Sequence, residues 1–413
     1  MKLSTSIPAY LSKKKLSFYA LLLIAASLPY AVKLSSISII IFIIVWIIEG
    51  DFKLKFEKLK SEKFIWLFCG FYLLHLIWMV ITQNTRMGNF ELEKKLSLML
   101  FPLTIGTIVL STEQMRRILL VFILSCAVAT IICYAHAFFY FLQTGDLSGF
   151  SLAALSEGIK IHRVYFSMYL LLCAFILLSF LNAGLYRKFI LLQYILLFHF
   201  VVFITLLASR AALIVLCVSL VILVIAYLRN TRNYSRVLIT GGILAMSISA
   251  IIFFNPRIQS IIQETYTDLD KGNSDYNATG PNIRVIIWKS GVEVLKQHFW
   301  TGVGTGDVDD ALYEKYVQKD FIYGKQERYN AHNQYLQTGI GLGIIGLTAF
   351  LLNLFLPAIK ALKWQSFLTV AFLLSFAIFC LPEAMLCTQK GTVYYGFFNS
   401  LLVFHFMQKK ENL

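Results

Sequence analysis

The densest group of chemically capable side chains in this sequence is the run Tyr329, Asn330, Ala331, His332, Asn333, Gln334, Tyr335 and Gln337. Histidine exchanges a proton near neutrality, so His332 is suited to take one from a hydroxyl, with Tyr329, Asn333 and Gln337 beside it as hydrogen-bonding groups for a polar substrate. A histidine at such a place also reads as an ordinary interfacial residue. Arg284 follows Gly280, Pro281 and Asn282, which mark a helix entrance. Free backbone N–H groups and a bidentate guanidinium converge there, which suits an anion, although a solvated surface arginine looks the same from sequence. Arg210 stands between the apolar runs 201–209 and 211–223. A guanidinium at a membrane boundary is costly unless it faces a polar cavity or reaches the headgroups. His162 and Arg163 precede another apolar run, and Glu383, Gln389 and Lys390 interrupt the last ones. Each of these reads singly as a helix-end polar group.

The elements that must position these groups are membrane helices. Of the 413 residues, 58% are hydrophobic and 14% charged, far more apolar surface than a water-soluble domain needs. Apolar runs near the length that crosses a bilayer recur along the whole chain, which predicts one all-α membrane domain over 1–413. The expected spans are 17–33, 36–49, 64–82, 96–110, 118–142, 163–182, 189–207, 211–228, 237–254, 333–356, 366–381 and 391–407, about 12 transmembrane helices in all. The run behind Lys13, Lys14 and Lys15 lacks a small-x-small cleavage site and reads as the first span rather than a signal peptide.

The formal charge of +15 reflects lysines and arginines on alternate loops, not a nucleic-acid surface. Their bias predicts that both termini are cytoplasmic. The stretch 143–162 and a large loop, 255–330, then fall on the other side. Within that loop the pattern predicts a helix over 282–298, with Ile283, Ile286, Ile287, Ser290 and Val294 as an apolar stripe fit to lie flat over the membrane mouth. Every polar candidate above falls on this non-cytoplasmic side. The seven cysteines lie in or beside apolar runs without CxxC spacing, which indicates neither a disulfide framework nor a thiolate metal site. Gly302, Gly304 and Gly306 imitate a dinucleotide fingerprint, but no buried strand precedes them; they read as tight turns that fold the loop back on the membrane.

Taken in order, Ser209-Arg210-Ala211, then Asn282-Ile283-Arg284 with Trp288, then Thr301-Gly302-Val303-Gly304-Thr305-Gly306, then Ala331-His332-Asn333-Gln334-Tyr335-Leu336-Gln337 with Gly339, Gly341 and Gly343, the chain resembles the O-antigen ligase and polymerase family of bacterial surface-glycan enzymes. The resemblance covers roughly 160–400, and its most specific part is the His-Asn motif. It implies a multi-helix glycosyltransferase of the bacterial inner membrane whose large periplasmic loop, containing short helices, caps the active-site cavity. It also implies transfer of polysaccharide from an undecaprenyl-pyrophosphate-linked donor to a sugar hydroxyl of lipid A-core, with membrane lipid as surroundings, no cofactor and no essential metal. By the same resemblance Arg210 and Arg284 hold the donor pyrophosphate and His332 is the base, with inversion at the anomeric carbon. Arg163, His162, Asn333, Gln337, Tyr329 and Gln389 are the expected substrate-binding residues. Two Asp-x-Asp spacings, Asp268-Leu269-Asp270 and Asp307-Val308-Asp309, invite a metal reading. Such a triplet arises easily by chance in a polar loop, and arginines can do the same electrostatic work.

An O-antigen polymerase or a protein O-oligosaccharyltransferase would use the same donor on the same side and differ in acceptor. A transporter or lipid flippase is the rival from another class. It would favour two related halves and polar groups at the midplane, whereas here the halves are unlike and the polar groups crowd one face.

Overall fold

The computed structural model describes residues 15–209, 211–219, 242 and 281–411. Among them every regular element is helical. They divide into two compact units, one drawn from 1–52 and 109–261 and the other from 53–108 and 262–413.

In the first unit the helices are Lys15–Ser27, Val32–Ile48, Thr112–Thr144, Leu152–Leu155, Arg163–Asn182, Ile190–Leu206 and one over 211–219. The longest begins at a capping box, in which the Ser111 hydroxyl accepts from Gln114 N–H while the Gln114 side chain accepts from Ser111 N–H. It ends 33 residues later at Gly145, whose φ of 71° is a left-handed cap that glycine takes without Cβ strain. Arg163–Asn182 is apolar all round, and nearly every residue from Val164 to Phe180 is buried, the mark of a helix with protein on all sides. Two polar contacts tie helices of this unit together: Ser125 Oγ donates to the Ala26 carbonyl at 2.5 Å, and Thr130 Oγ1 lies 2.8 Å from His199 Nε2.

The second unit holds Lys63–Ile77, Thr85–Lys95, Ser97–Ile105, Pro281–Gln297, Val308–Gln318, Ile322–Glu327, Gln334–Lys363, Phe367–Phe379 and Gln389–Glu411. Aromatic rings knit its apolar end, as where Phe376 stacks on Tyr395 with centroids 4.5 Å apart. Asn353 ties Gln334–Lys363 to Lys63–Ile77, its amide donating to the Leu67 carbonyl at 3.0 Å. The loop helices keep a core of their own, in which Ile287, Val294, Leu312, Tyr316 and Phe321 are buried with Ala331 and Ile340. The predicted stripe of Pro281–Gln297 therefore packs on this protein core, with Ile283 and Ile286 against it, where the sequence reading had it facing the membrane mouth.

Five described helices are long and apolar enough to cross a membrane: Lys63–Val80, Thr112–Thr144, Arg163–Asn182, Arg187–Leu206 and Gln334–Lys363. The pair Val32–Ile48 and Phe52–Ser61 makes a sixth if counted as one span. Among the described residues, five or six of the twelve expected spans are thus met. The expected span 96–110 is the nine-residue helix Ser97–Ile105, about 14 Å long at 1.5 Å per residue and so well short of a hydrocarbon core. Lys15–Ser27 and Phe367–Phe379 are apolar but also short. Most of the expected spans 211–228 and 237–254, and residues 255–280 of the large loop, lie outside the described residues.

The longest helix of the second unit is broken. Gly343 in Gln334–Lys363 has φ 63° and ψ −162°, a region only glycine occupies readily. The segment 299–304 runs beside the break and satisfies its backbone: Val303 and Gly304 N–H donate to the Ile340 and Gly341 carbonyls at 2.9 and 3.0 Å, and Ile344 N–H donates to the Phe299 carbonyl at 2.8 Å. A Cβ on Gly302 would meet the Gly341 carbonyl carbon at 2.5 Å. The glycine-rich run thus serves close backbone approach to this helix.

Candidate active site

His332 sits at the mouth of Gln334–Lys363. The cap of that helix is Asn333, whose side chain accepts from Leu336 N–H at 3.0 Å. To enter the helix at this angle the chain puts His332 in the left-handed region, φ 42°, which is costly for a residue with a Cβ. Neighbouring side chains hold it there. His332 N–H donates to Asn330 Oδ1 at 2.9 Å, Ala331 N–H to Gln337 Oε1 at 2.9 Å, and Trp288 Nε1–H to the His332 carbonyl at 3.4 Å. The Tyr329 ring lies 5.7 Å from the imidazole, centroid to centroid.

Glu383 joins the distant parts. Its Oε2 is 3.1 Å from His332 Nδ1, and its Oε1 accepts from Arg284 Nη2 at 2.9 Å. Arg284 comes from the first turn of Pro281–Gln297, and Glu383 from the turn between Phe367–Phe379 and Gln389–Glu411. That turn is pinned to the histidine segment: Gln334 N–H donates to the Cys380 carbonyl at 2.8 Å, and Leu386 N–H donates to Gln334 Oε1 at 2.7 Å. The three side chains are 17–32% exposed, sheltered yet reachable. A carboxylate at Nδ1 sets the neutral tautomer with its proton there, so that Nε2 presents a lone pair. Among the described residues Glu383 is the charged partner of Arg284, and a guanidinium has N–H donors left for an anion. The arrangement can therefore do two things a few ångströms apart: accept a proton and hold negative charge.

Of the expected site residues, His332, Arg284, Tyr329, Asn333 and Gln337 gather at this mouth. Asn333 and Gln337 spend their side-chain carbonyls on backbone N–H groups. Gln389 begins the helix Gln389–Glu411 of the same unit. His162 and Arg163 belong to the other unit, at the start of Arg163–Asn182. Arg210 and the triplet Asp268-Leu269-Asp270 lie outside the described residues.

The second Asp-x-Asp triplet has other employment. Asp307 accepts from Gln83 and Asn84 N–H at 2.8 and 2.7 Å, and Asp310 accepts from Asn84 Nδ2 at 2.7 Å, so both fasten the loop to the segment before Thr85–Lys95. Asp309 instead lines a small cleft with His75, Glu91, Lys95 and Gln337. Burial, and then the Glu91 charge, push the Asp309 carboxyl up. Burial also acts to raise Glu91, but Lys95 and Lys94, both hydrogen-bonded to it, outweigh that and hold its carboxyl below its ordinary value.

The sequence reading did not promote Glu383 or Asp309 to site residues. For Glu383 there was a signal: it is the one acidic residue between the apolar runs 366–381 and 391–407, where a carboxylate needs a partner.

A family model described as O-antigen ligase matches residues 194–351. The matched stretch contains Arg284 and His332, and Glu383 lies beyond it. No curated protein matches the chain.

Proposed function

From the O-antigen ligase-family region at residues 194–351, we propose that this membrane protein is a glycosyltransferase of the inner membrane. In this reading it moves polysaccharide from undecaprenyl pyrophosphate to a sugar hydroxyl of lipid A-core on the periplasmic face. Glycosyltransferase-like chemistry is what the family implies; the donor, the acceptor and the side of the membrane are this proposal's own.

The observation that carries it is Glu383 bonded at once to His332 and Arg284. His332 Nε2 takes the proton of the acceptor hydroxyl as that oxygen bonds to the anomeric carbon. The bond from that carbon to the pyrophosphate breaks on the opposite face, its electron pair leaves with undecaprenyl pyrophosphate, and configuration inverts. Glu383 favours the imidazolium that forms by facing its Nδ1–H, as a buried carboxylate does in catalytic triads. Arg284, with Arg210 as the second expected cation, meets the charge developing on the leaving group. Tyr329, Asn333, Gln337, Gln389, His162 and Arg163 are the residues this reading assigns to substrate binding.

The test is transfer by the purified full-length protein from a synthetic lipid-linked donor to lipid A-core. His332→Ala should abolish it while the protein remains in the membrane. Retained transfer would remove His332 from the chemistry, and vesicle transport without transfer would overturn the enzyme reading.

A further inference from the structure

The apolar stripe of Pro281–Gln297 is spent on the loop's own core, yet the turn just after this helix leaves two aromatic side chains outside that core. Phe299 and Trp300 are 43% and 70% exposed, and Trp300 is the most exposed large apolar side chain among the described residues of 283–333. Exposed rings on a loose loop tip would signify little. This turn is fixed, because its backbone is bonded to two helices long and apolar enough to cross a membrane, Lys63–Val80 and Gln334–Lys363. The Phe299 carbonyl accepts from Ile344 N–H at 2.8 Å, and the Thr301 carbonyl accepts from Trp78 Nε1–H. Thr305 fastens the chain that follows, its hydroxyl donating to the His75 carbonyl at 2.7 Å. A Cβ on Gly343 would collide with the Trp300 carbonyl, so glycine is what lets the turn come this close.

The level at which the two rings are held has the marks of a membrane boundary. Beyond the break, residues 344–363 run about 30 Å at 1.5 Å per residue, the thickness of a hydrocarbon core. Lys360 and Lys363 lie in the last turn of that helix, and Lys360 Nζ is 4.8 Å from the centre of the Phe64 ring, which follows Lys63 at the start of Lys63–Val80. One end of this helix pair thus carries lysines, and the other carries Trp78, Phe299 and Trp300. Both kinds of side chain settle at the edge of a bilayer, lysine by extending its ammonium to the headgroups and tryptophan by burying a ring while wetting its N–H. Around the aromatic end the exposed surface stays apolar: Ile77, Val80 and Ile81 flank Trp78, and Ile345 follows the break, each 46–87% exposed.

We propose that Phe299 and Trp300 are a membrane anchor of the large loop, with their rings seated in the headgroup–acyl boundary of the bilayer. The occupant of this patch is lipid, because the patch continues the exposed apolar surface of two helices of membrane-crossing length. On this basis the lipid-spanning part of Gln334–Lys363 begins at the break, and residues 334–342 stand outside the hydrocarbon. His332 is then held off the boundary by about 14 Å along the helix axis, a height set by the anchor and the break together. The proposal holds whatever reaction the protein performs.

The experiment uses the full-length protein, labelled with fluorotryptophan, in lipid nanodiscs. The fluorine resonance missing from Trp300→Phe belongs to Trp300, and if that variant does not accumulate, Trp300→Tyr removes the same resonance. Nitroxide lipids labelled near the carbonyl end of the acyl chain should broaden it severalfold more than lipids labelled near the methyl end, and more than a gadolinium chelate in the water does. Replacing both Phe299 and Trp300 by serine should accelerate backbone hydrogen exchange over 299–304 severalfold, because a lost restraint raises the open population. Broadening by the aqueous chelate alone would overturn the proposal. So would strongest broadening from the methyl-end label, which places the ring deep in the hydrocarbon, or protection from every agent, which places a protein surface such as a second copy of the chain over the patch. Unchanged exchange in the double serine variant would equally remove the anchoring role.

Discussion

Two carboxylates of the second unit each sit between two basic partners, and they differ in almost every other respect. Glu91 lies between Lys94 and Lys95 on one helix, three and four residues away, with side chains only 5–16% exposed. Glu383 lies between Arg284 and His332, 99 and 51 residues away in sequence, with side chains 17–32% exposed. The ion pairs of the first are closed within a single turn, with Lys94 also donating to the Cys387 carbonyl at 3.1 Å, and its lysines compensate a charge that burial would otherwise penalise. The second is assembled from three separated segments and keeps one face of its cation and its imidazole accessible. Locality and closure mark a charge group that serves the fold, whereas long-range assembly and partial exposure mark one that can meet a substrate.

That contrast can be broken by substitution. On the proposed reading Glu383→Ala should cost the largest factor, about 10²- to 10⁴-fold in kcat, because His332 loses the carboxylate at its Nδ1; steady-state transfer assays with circular dichroism on the same samples measure it. Equal loss of helicity would erase the distinction between the two groups. Glu91→Gln should do the converse, lowering stability by about 3 kcal/mol through two buried, uncompensated lysines, as read by thermal unfolding in detergent. Its pH signature has a fixed sign. The folded-state value of Glu91 lies below its ordinary 4.5, so its stabilisation is present above pH 4.5 and is lost as pH falls through the depressed value; the variant should show a flatter acid limb. Glu383→Gln should be milder than alanine, about tenfold in kcat, because the amide carbonyl can still accept from Nδ1–H while the charge is gone. The smallest effect belongs to Asp307→Ala, about 1 kcal/mol in the same unfolding assay, since it frees two backbone N–H groups and touches neither carboxylate cluster.

Local order was legible and assembly was not. The period-3.6 stripe of Ile283, Ile287 and Val294 gave the helix Pro281–Gln297 to within a residue, because helix pattern is written in adjacent turns. The same stripe could not say what it faces, and it faces Leu312 and Tyr316 of its own loop. Apolar composition marked Ser97–Ile105 as a span, but composition does not encode where hydrogen bonding stops, and Thr107 already turns its hydroxyl back to the Thr104 carbonyl at 2.8 Å. His332 and Arg284 were legible as residue types suited to their chemistry. Their meeting through Glu383 was not, because that pairing depends on how the turn at 380–386 is fastened to Gln334.

The interruption at Gly343 has a mechanical meaning for His332. Residues 334–342 form a short stub strapped to 299–304 on one side, with His332 just before its far end, so the stub and the loop share one register. Inserting a single residue into the stub would rotate everything before it by about 100° about the helix axis, turning the imidazole away from Glu383 while leaving the half after Gly343 undisturbed. The stub's length is therefore as much a requirement of the site as the identity of its side chains.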